Sequence, residues 1–164
     1  MKHTTTQRAA AIITACTALT AIPAASAATQ NATAFTGRVN AICTSNTPAM
    51  AAIAKRDPTT RAAVRGYISA LLRVHTKQLA QLTGLTPPAA IATKYTRNLG
   101  RYANFNRALA TMLRHAETGA GEQMAADSLR LQRTSDAFDR VAYAMSYTAC
   151  VDPNYAPPAG PNIQ

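Results

Sequence analysis

Apolar residues recur along this chain with the three-and-four spacing of amphipathic helices, and the pattern is clearest between Met124 and Cys150. Large side chains return there at every seventh position with small ones halfway between: Met124, Leu131, Phe138 and Met145 alternate with Ser128, Ser135 and Ala142. This alternation predicts a helix that presents one narrow face to its neighbours. Phe138 is expected at the centre of the core and Ser135 at a point of close approach.

Three further segments with the same period precede it, separated by helix-breaking residues. The first is interrupted by Pro48 and the second ends at Gly84. The third is predicted to begin at Pro87, with Thr86 as its cap, and to run to the turn at Gly119 and Gly121. Proline lacks a backbone N–H and disfavours helix at the preceding residue, so the first helix is predicted to be bent or broken near Pro48. The apolar faces are Phe35, Val39, Ile42, Asn46, Met50 and Ile53; Val64, Ile68, Leu71, His75, Gln78 and Leu82; and Ile91, Tyr95, Asn98, Tyr102, Phe105, Leu109, Met112 and Ala116.

Helices account for the whole pattern. No stretch alternates with the two-residue period of a strand, and no hairpin turn joins two such runs. Four helices with short polar joints predict an all-α fold, an up-down-up-down four-helix bundle over residues 28–150. Residues 151–164 are rich in proline and are expected to form a disordered tail.

The first 27 residues have the order of segments found in secretory signal peptides. Basic residues come first, an apolar run follows over residues 9–22, and Ala25-Ser26-Ala27 fits a cleavage site. The apolar run is too short for a membrane span, so a secreted or otherwise extracytoplasmic protein is expected, and not an integral membrane protein. As an alternative, Ile13-Thr14-Ala15-Cys16 resembles a lipoprotein processing site, which would make Cys16 a lipid anchor.

Two cysteines follow the signal peptide, Cys43 in the first helix and Cys150 at the end of the last. In an oxidising compartment such a pair predicts one disulfide, and the alternative is two separate buried thiols. An antiparallel bundle must hold both cysteines at one height, yet at about 1.5 Å per residue Cys150 overshoots by roughly ten residues. A break at Pro48, or unwinding after Tyr147, would absorb the difference.

Short motifs add a family resemblance. Ala41-Ile42-Cys43, Leu82-Thr83-Gly84-Leu85-Thr86-Pro87-Pro88 and Thr148-Ala149-Cys150 follow a signal peptide in this order. In this the chain resembles a loose group of secreted or lipoprotein helical-bundle proteins of high-GC bacteria that carry one cysteine pair. The resemblance implies a helical bundle with one bridge and no assigned activity. Pro48 departs from the continuous first helix expected in that group.

Few residues suited to catalysis follow the signal peptide. There are two histidines, His75 and His115, and no acidic residue falls on a predicted apolar face. Paired carboxylates, a Gly-x-Ser-x-Gly motif, a phosphate-binding loop and a His-Glu-x-x-His motif are all missing from the sequence. The chain is therefore not expected to be an enzyme or to hold a cofactor or metal. An enzyme with an unrecognised site is kept as the third reading.

His75 is the most notable single residue because it falls on an apolar face. Counting residues back through the joints places it level with Tyr95, and Tyr95 level with Met145. A histidine, a tyrosine and a methionine in one layer are candidate haem or copper ligands. The favoured reading is a core histidine bonded to a tyrosine hydroxyl, because one histidine seldom makes a metal site. His115, near a helix end, is expected to complement the helix dipole.

Basic residues are concentrated in the middle of the chain. Nine lie from Arg61 to Arg114 with no acid between them, and Lys94, Arg97 and Arg101 share one helix face. Two of the seventeen basic residues precede the cleavage site, so fifteen remain against seven acids, a net charge of +8.

This charge pattern leads to the functional expectation. The chain is expected to be a non-enzymatic protein that acts by contact at the bacterial envelope, with anionic polymers or lipid headgroups as partners of the basic face. Specific nucleic-acid recognition is not expected, since no groove-reading motif occurs. The alternative is a carrier of haem, metal or a small hydrophobic ligand in the bundle core. A solvated surface that binds nothing also fits, and the sequence leaves the oligomeric state open.

Overall fold

The computed structural model describes residues 24–157, with side chains described from residue 31 onward. It contains four helices: α1 (Ala24–Ala54), α2 (Arg61–Thr83), α3 (Ala89–Thr118) and α4 (Gly121–Ala144). A short 3₁₀ turn follows at Thr148–Cys150, and this part of the chain has no strand. The predicted all-α four-helix bundle is confirmed. Most of the predicted signal peptide, including Cys16, lies outside the described residues.

Local signals set the start of α2 and the end of α3. Thr60 caps α2, because its Oγ1 accepts a hydrogen bond from Ala63 N at 3.2 Å. Gly119 ends α3 in the left-handed conformation, with φ of 78°. A side chain at Gly119 would collide with the guanidinium of Arg61, which donates to the carbonyls of Ala116 and Glu117 at 3.2 and 2.7 Å. The first residue of α2 therefore caps the end of α3.

The first helix runs through Pro48 without interruption, so the helix is not broken there. If the helix broke before Pro48, the side chain of Asn46 or Thr47 would be expected to cap a new helix. Neither side chain does so. Their side chains donate instead to the carbonyls one turn back, Asn46 to Ile42 at 2.9 Å and Thr47 to Cys43 at 3.3 Å. Pro48 still removes one hydrogen bond of the helical ladder, which leaves a bend as the expected local effect.

Cys43 and Cys150 form the predicted disulfide, with an S–S distance of 2.03 Å. The prediction that α4 extends to Cys150 was wrong, because α4 ends at Ala144 and the chain turns at Ser146, whose φ is 60°. Asn40 of α1 holds this turn, since its Nδ2 donates to Ser146 O and its Oδ1 accepts from Ala149 N, both at 3.1 Å. Unwinding after the helix thus brings the two cysteines to one height.

The contact between α1 and α4 is not one of the main helix–helix contacts of the bundle. The main packing joins α1 to α2, α2 to α3 and α3 to α4, while α1 meets the end of the chain through the 3₁₀ turn. One core cluster lies around the disulfide and contains Phe35, Tyr95, Tyr102, Phe138 and Tyr147, and a second lies around Ile68 and Leu109 near the start of α2. Among the described helices, none combines the length and hydropathy needed to cross a membrane.

The chain beyond Cys150 also contacts the bundle over its first residues. Val151 packs against the core around the disulfide, and Asp152 N donates to Asp139 at 3.3 Å. The ring of Tyr155 lies 6.4 Å from that of Tyr143 on α4. The first residues of the segment predicted to be a disordered tail therefore contact the bundle at Val151, Asp152 and Tyr155. Residues 158–164 lie outside the described part.

Candidate functional site

A cleft of about 670 Å³ opens between α1 and α4. Side chains of α2 and α3 form its floor, and residues 149–154 close one end. The small residues Ala51 and Ala54 on α1 face Ser128 and Ser135 on α4 across it. Ser135 was predicted to allow close approach of a neighbouring helix. That prediction was wrong, because no helix approaches and the small side chains leave room instead. The volume is within the range typical of small-molecule sites.

The two ends of this cleft differ in polarity. Because α1 and α4 run in opposite directions, Cys43 and Asp139 lie at one end, here called the disulfide end, and Ala54 and Ser128 at the other. The disulfide end carries the polar groups of Gln78, Asp139 and Asp152. The opposite half is lined mainly by apolar side chains, among them Met50, Tyr67, Leu71, Phe105 and Leu131. The cleft therefore suits an amphipathic molecule.

His75 and Tyr102 form a hydrogen-bonded pair in the floor, with 2.7 Å between Nδ1 and the hydroxyl oxygen. Tyr102 is only 2% exposed and its hydroxyl has no other partner, so it donates and Nδ1 accepts. Burial, with the nearby charge of Asp139, raises the pKa of Tyr102 and keeps this proton in place. Burial lowers the pKa of His75 to about 4, so the ring is neutral near pH 7 and Nε2 carries its proton.

Aromatic rings fix this pair in place. The His75 ring lies edge-on to Phe105 with 4.8 Å between centroids, and Tyr102 stacks on Phe138 at 4.6 Å. Phe138 is 6% exposed, which confirms its predicted place in the core. The imidazole thus has a fixed tautomer and orientation, and its Nε2–H makes no hydrogen bond to the described residues. It can serve as a donor toward a molecule in the cleft.

Asp139 is a buried carboxylate at the disulfide end, 3% exposed. Its Oδ2 accepts from Ser135 Oγ at 3.1 Å and its Oδ1 from the backbone of Asp152 at 3.3 Å. Burial raises the pKa of Asp139. Among the described side chains no Lys or Arg lies within 4 Å of a carboxylate, and the one histidine–carboxylate contact joins His115 and Asp127 at 2.6 Å, so Asp139 has no cationic partner there. The prediction that no acid falls on an apolar face was wrong for Asp127 and Asp139.

The proposed layer of His75, Tyr95 and Met145 is not formed. Tyr95 donates to Leu82 O at 2.7 Å and packs around the disulfide, where Met145 also lies, while His75 bonds Tyr102. The count between α2 and α3 was misplaced because α3 begins only at Ala89, after a joint with its own geometry. The described residues contain no cluster of three or more His, Cys, Asp or Glu that could hold a metal ion.

The count between α3 and α4 came closer. It paired Tyr95 with Met145, and the same register pairs Tyr102 with Phe138, which stack on each other. The observed ring neighbour of Tyr95 is Tyr147, two residues beyond Met145, edge-on at 6.1 Å. The joint there is short and turns at a single glycine, so its midpoint can be read from the sequence. His115 lies in the last turn of α3, as predicted, and its Nδ1 is also hydrogen-bonded to Asp127 of α4 across this joint.

Lys94, Arg97 and Arg101, here called the basic surface, lie on α3. The side chains of Lys94 and Arg97 are exposed, and that of Arg101 is half-buried with an unpartnered Nη1. None of the Lys and Arg residues in the described part lies within 4 Å of a carboxylate. The charges of Lys94 and Arg97 are therefore available to a partner in solution.

Comparison with known proteins found no relative of this chain. No family model, curated protein or solved structure matches the chain. The cleft and the basic surface are the two features that support a functional proposal.

Proposed function

We propose that this protein binds a small, mainly apolar molecule in the cleft between α1 and α4 and does not act as an enzyme. The observation that carries the proposal is the cleft itself, since the interior of a four-helix bundle is normally filled by interdigitating side chains. A ligand there would cover apolar side chains such as Leu71 and Leu131, and each square ångström removed from water adds about 25 cal/mol of favourable free energy.

The polar groups of the cleft support binding more than catalysis. Ser135 donates to Asp139, and Ser128 donates to the carbonyl of Met124 at 3.0 Å. The Nδ1 atom of His75 is occupied by Tyr102, so neither serine is hydrogen-bonded to a histidine as in a Ser–His pair. These groups are placed to orient a bound molecule.

The proposal includes a location outside the cytoplasm. The disulfide and the described helices, none of which could span a membrane, are compatible with an extracytoplasmic protein. The signal-peptide pattern of residues 1–27 is the basis for secretion, with lipid attachment at Cys16 as the alternative.

A cleft-filling substitution tests the proposal. Ala51 lines the cleft and Ala52, next to it, does not, so Ala51→Trp and Ala52→Trp form a matched pair. With the uncharged probe N-phenyl-1-naphthylamine, the unaltered protein and Ala52→Trp should show the same saturable rise in fluorescence. Ala51→Trp should weaken binding by about tenfold or more, because the indole occupies the space of the ligand. Equal binding by both variants would contradict the proposal.

The second candidate function is contact with anionic envelope polymers or lipid headgroups through the basic surface. It is supported by the nine basic residues between Arg61 and Arg114 that no acid interrupts, and by the lack of carboxylate partners around them in the described part. Among these nine residues, Arg61 already donates hydrogen bonds to the carbonyls at the end of α3. This function and ligand binding are compatible, because the cleft has no Lys or Arg in its lining.

A further inference from the structure

We infer that the ligand of the cleft is an amphipathic amine, held with its ammonium group at the disulfide end near Asp139 and Asp152 and its apolar body toward Ala54. The inference rests on the proposed function and names the chemical class of the ligand. Three features of the cleft carry it: the charges of the lining, the surroundings of Asp139 and the apolar lining of the half away from Asp139.

The lining has a charge opposite to that of the chain. Lys and Arg number seventeen in the sequence and Asp and Glu seven, yet the cleft contains two acids and no Lys or Arg. A carboxylate or phosphate ligand would therefore find no counter-charge inside the cleft. Haem, with its two carboxylates, fits this lining poorly for the same reason. A cationic group finds two carboxylates at one end.

Asp139 lacks a cation although it is buried. Its two hydrogen bonds come from neutral donors, Ser135 Oγ and Asp152 N. A buried carboxylate is costly unless it is paired, and the nearby charges of Asp152 and Asp136 have the same sign. An ammonium group would supply the missing charge in a place with little water, where charge-assisted hydrogen bonds are strong.

Two further charged side chains, Asp136 and Arg140, lie near the disulfide end. A second depression of about 550 Å³ adjoins the cleft and shares Asp139 and Asp152 with it. It adds Asp136 and Arg140, and Arg140 makes no ion pair with either of the shared acids. Acidic residues therefore outnumber basic ones at this end by three to one, although the protein as a whole is basic.

The apolar half sets the second requirement on the ligand. Between Cys43 and Ala54 the cleft follows α1 for about 16 Å, at about 1.5 Å per residue. Beyond the His75 ring the walls are side chains such as Met50, Leu71 and Leu131. A ligand with an extended apolar body and an amine at one end satisfies both halves.

Three probes with the same ten-carbon chain isolate the head group: decylamine, decanol and decanoate. Each is titrated against the protein loaded with N-phenyl-1-naphthylamine, at about 150 mM salt so that the net charge of the protein is screened. Decylamine should displace the naphthylamine probe at a concentration about tenfold or more below that of decanoate, with decanol between them. Ala51→Trp should weaken all three.

Two variants test the role of the carboxylates, with one control. Asp152→Asn alters an exposed side chain, and Asp139→Asn a buried one, and each should weaken decylamine binding while decanol binding stays unchanged. Arg140→Gln, at the same end, should leave decylamine binding no weaker. If circular dichroism shows that Asp139→Asn does not fold, decylamine binding by Asp152→Asn decides whether the carboxylates hold the amine.

The outcomes separate the two proposals. If the three probes bind equally and Ala51→Trp blocks them all, the amine inference is overturned and the cleft remains a binding site. A preference for decylamine that survives both Asp→Asn variants also overturns it. If neither the naphthylamine nor any ten-carbon probe binds the unaltered protein, the proposed function itself fails.

Discussion

At the scale of single residues, the neutral imidazole of His75 gives the molecule a pH dependence with a definite sign. The pKa of His75 is about 4 in the folded chain against 6.5 for an ordinary histidine. Between these values the unfolded chain takes up a proton that the folded chain does not. Stability is therefore complete above pH 6.5 and is lost as the pH falls toward 4, by about 3 kcal/mol at most.

His75→Asn is expected to remove this loss. An asparagine can present its Oδ1 to Tyr102 in place of Nδ1, but it does not titrate. Denaturant unfolding at pH 7 and at about pH 4.5 should give a large stability difference for the unaltered protein and a small one for the variant. Asp139, whose raised pKa has the opposite effect, is present in both proteins and cancels. An unchanged difference would mean that His75 titrates normally.

Sequence patterns carry part of this residue-scale information. The period places His75 on an apolar face, and a tyrosine hydroxyl was the predicted partner, although the partner is Tyr102 and not Tyr95. Asp139 and Asp127 could not be placed, because each is hydrogen-bonded to at least one group from outside its own helix. For Asp139 one donor lies four residues earlier and the other belongs to Asp152, after the chain has turned.

At the scale of elements, α4 offers a direct test of its packing. Phe138→Ala should destabilise the protein by about 3–5 kcal/mol, because it removes a ring stacked on Tyr102 and leaves a cavity. Leu129→Ala, on the same helix but 68% exposed, should change stability by less than about 0.5 kcal/mol. Urea unfolding of both variants provides the measurement. Equal midpoints would show that Phe138 does not pack as described.

Helix limits were more predictable than helix contacts. Thr60, Gly84 and Gly119 mark ends through backbone chemistry that is local to each residue. The end of α4 was not predictable, because Asn40 holds the following turn from more than a hundred residues away. The cleft was missed for a related reason: small residues such as Ser135 permit close packing but do not enforce it.

At the scale of the whole molecule, the basic surface has its own test. Replacing Lys94, Arg97 and Arg101 by Gln should reduce sedimentation with purified cell wall or anionic liposomes at low salt. Replacing Arg130, Arg133 and Arg140 by Gln removes the same number of charges from α4, and it should have a smaller effect. Binding by the unaltered protein should weaken as salt shortens the screening length toward about 8 Å. Equal sedimentation of both triple variants would assign the effect to net charge alone.

The disulfide also changes what a protease can do to the chain. Cys43 and Cys150 are separated by 107 positions, and all three joints between helices lie inside the loop that they close. A single cut in any joint leaves two fragments that remain one covalent molecule, still held by the packing of the bundle. Such a nicked protein keeps the floor and both walls of its cleft together until the bond is reduced.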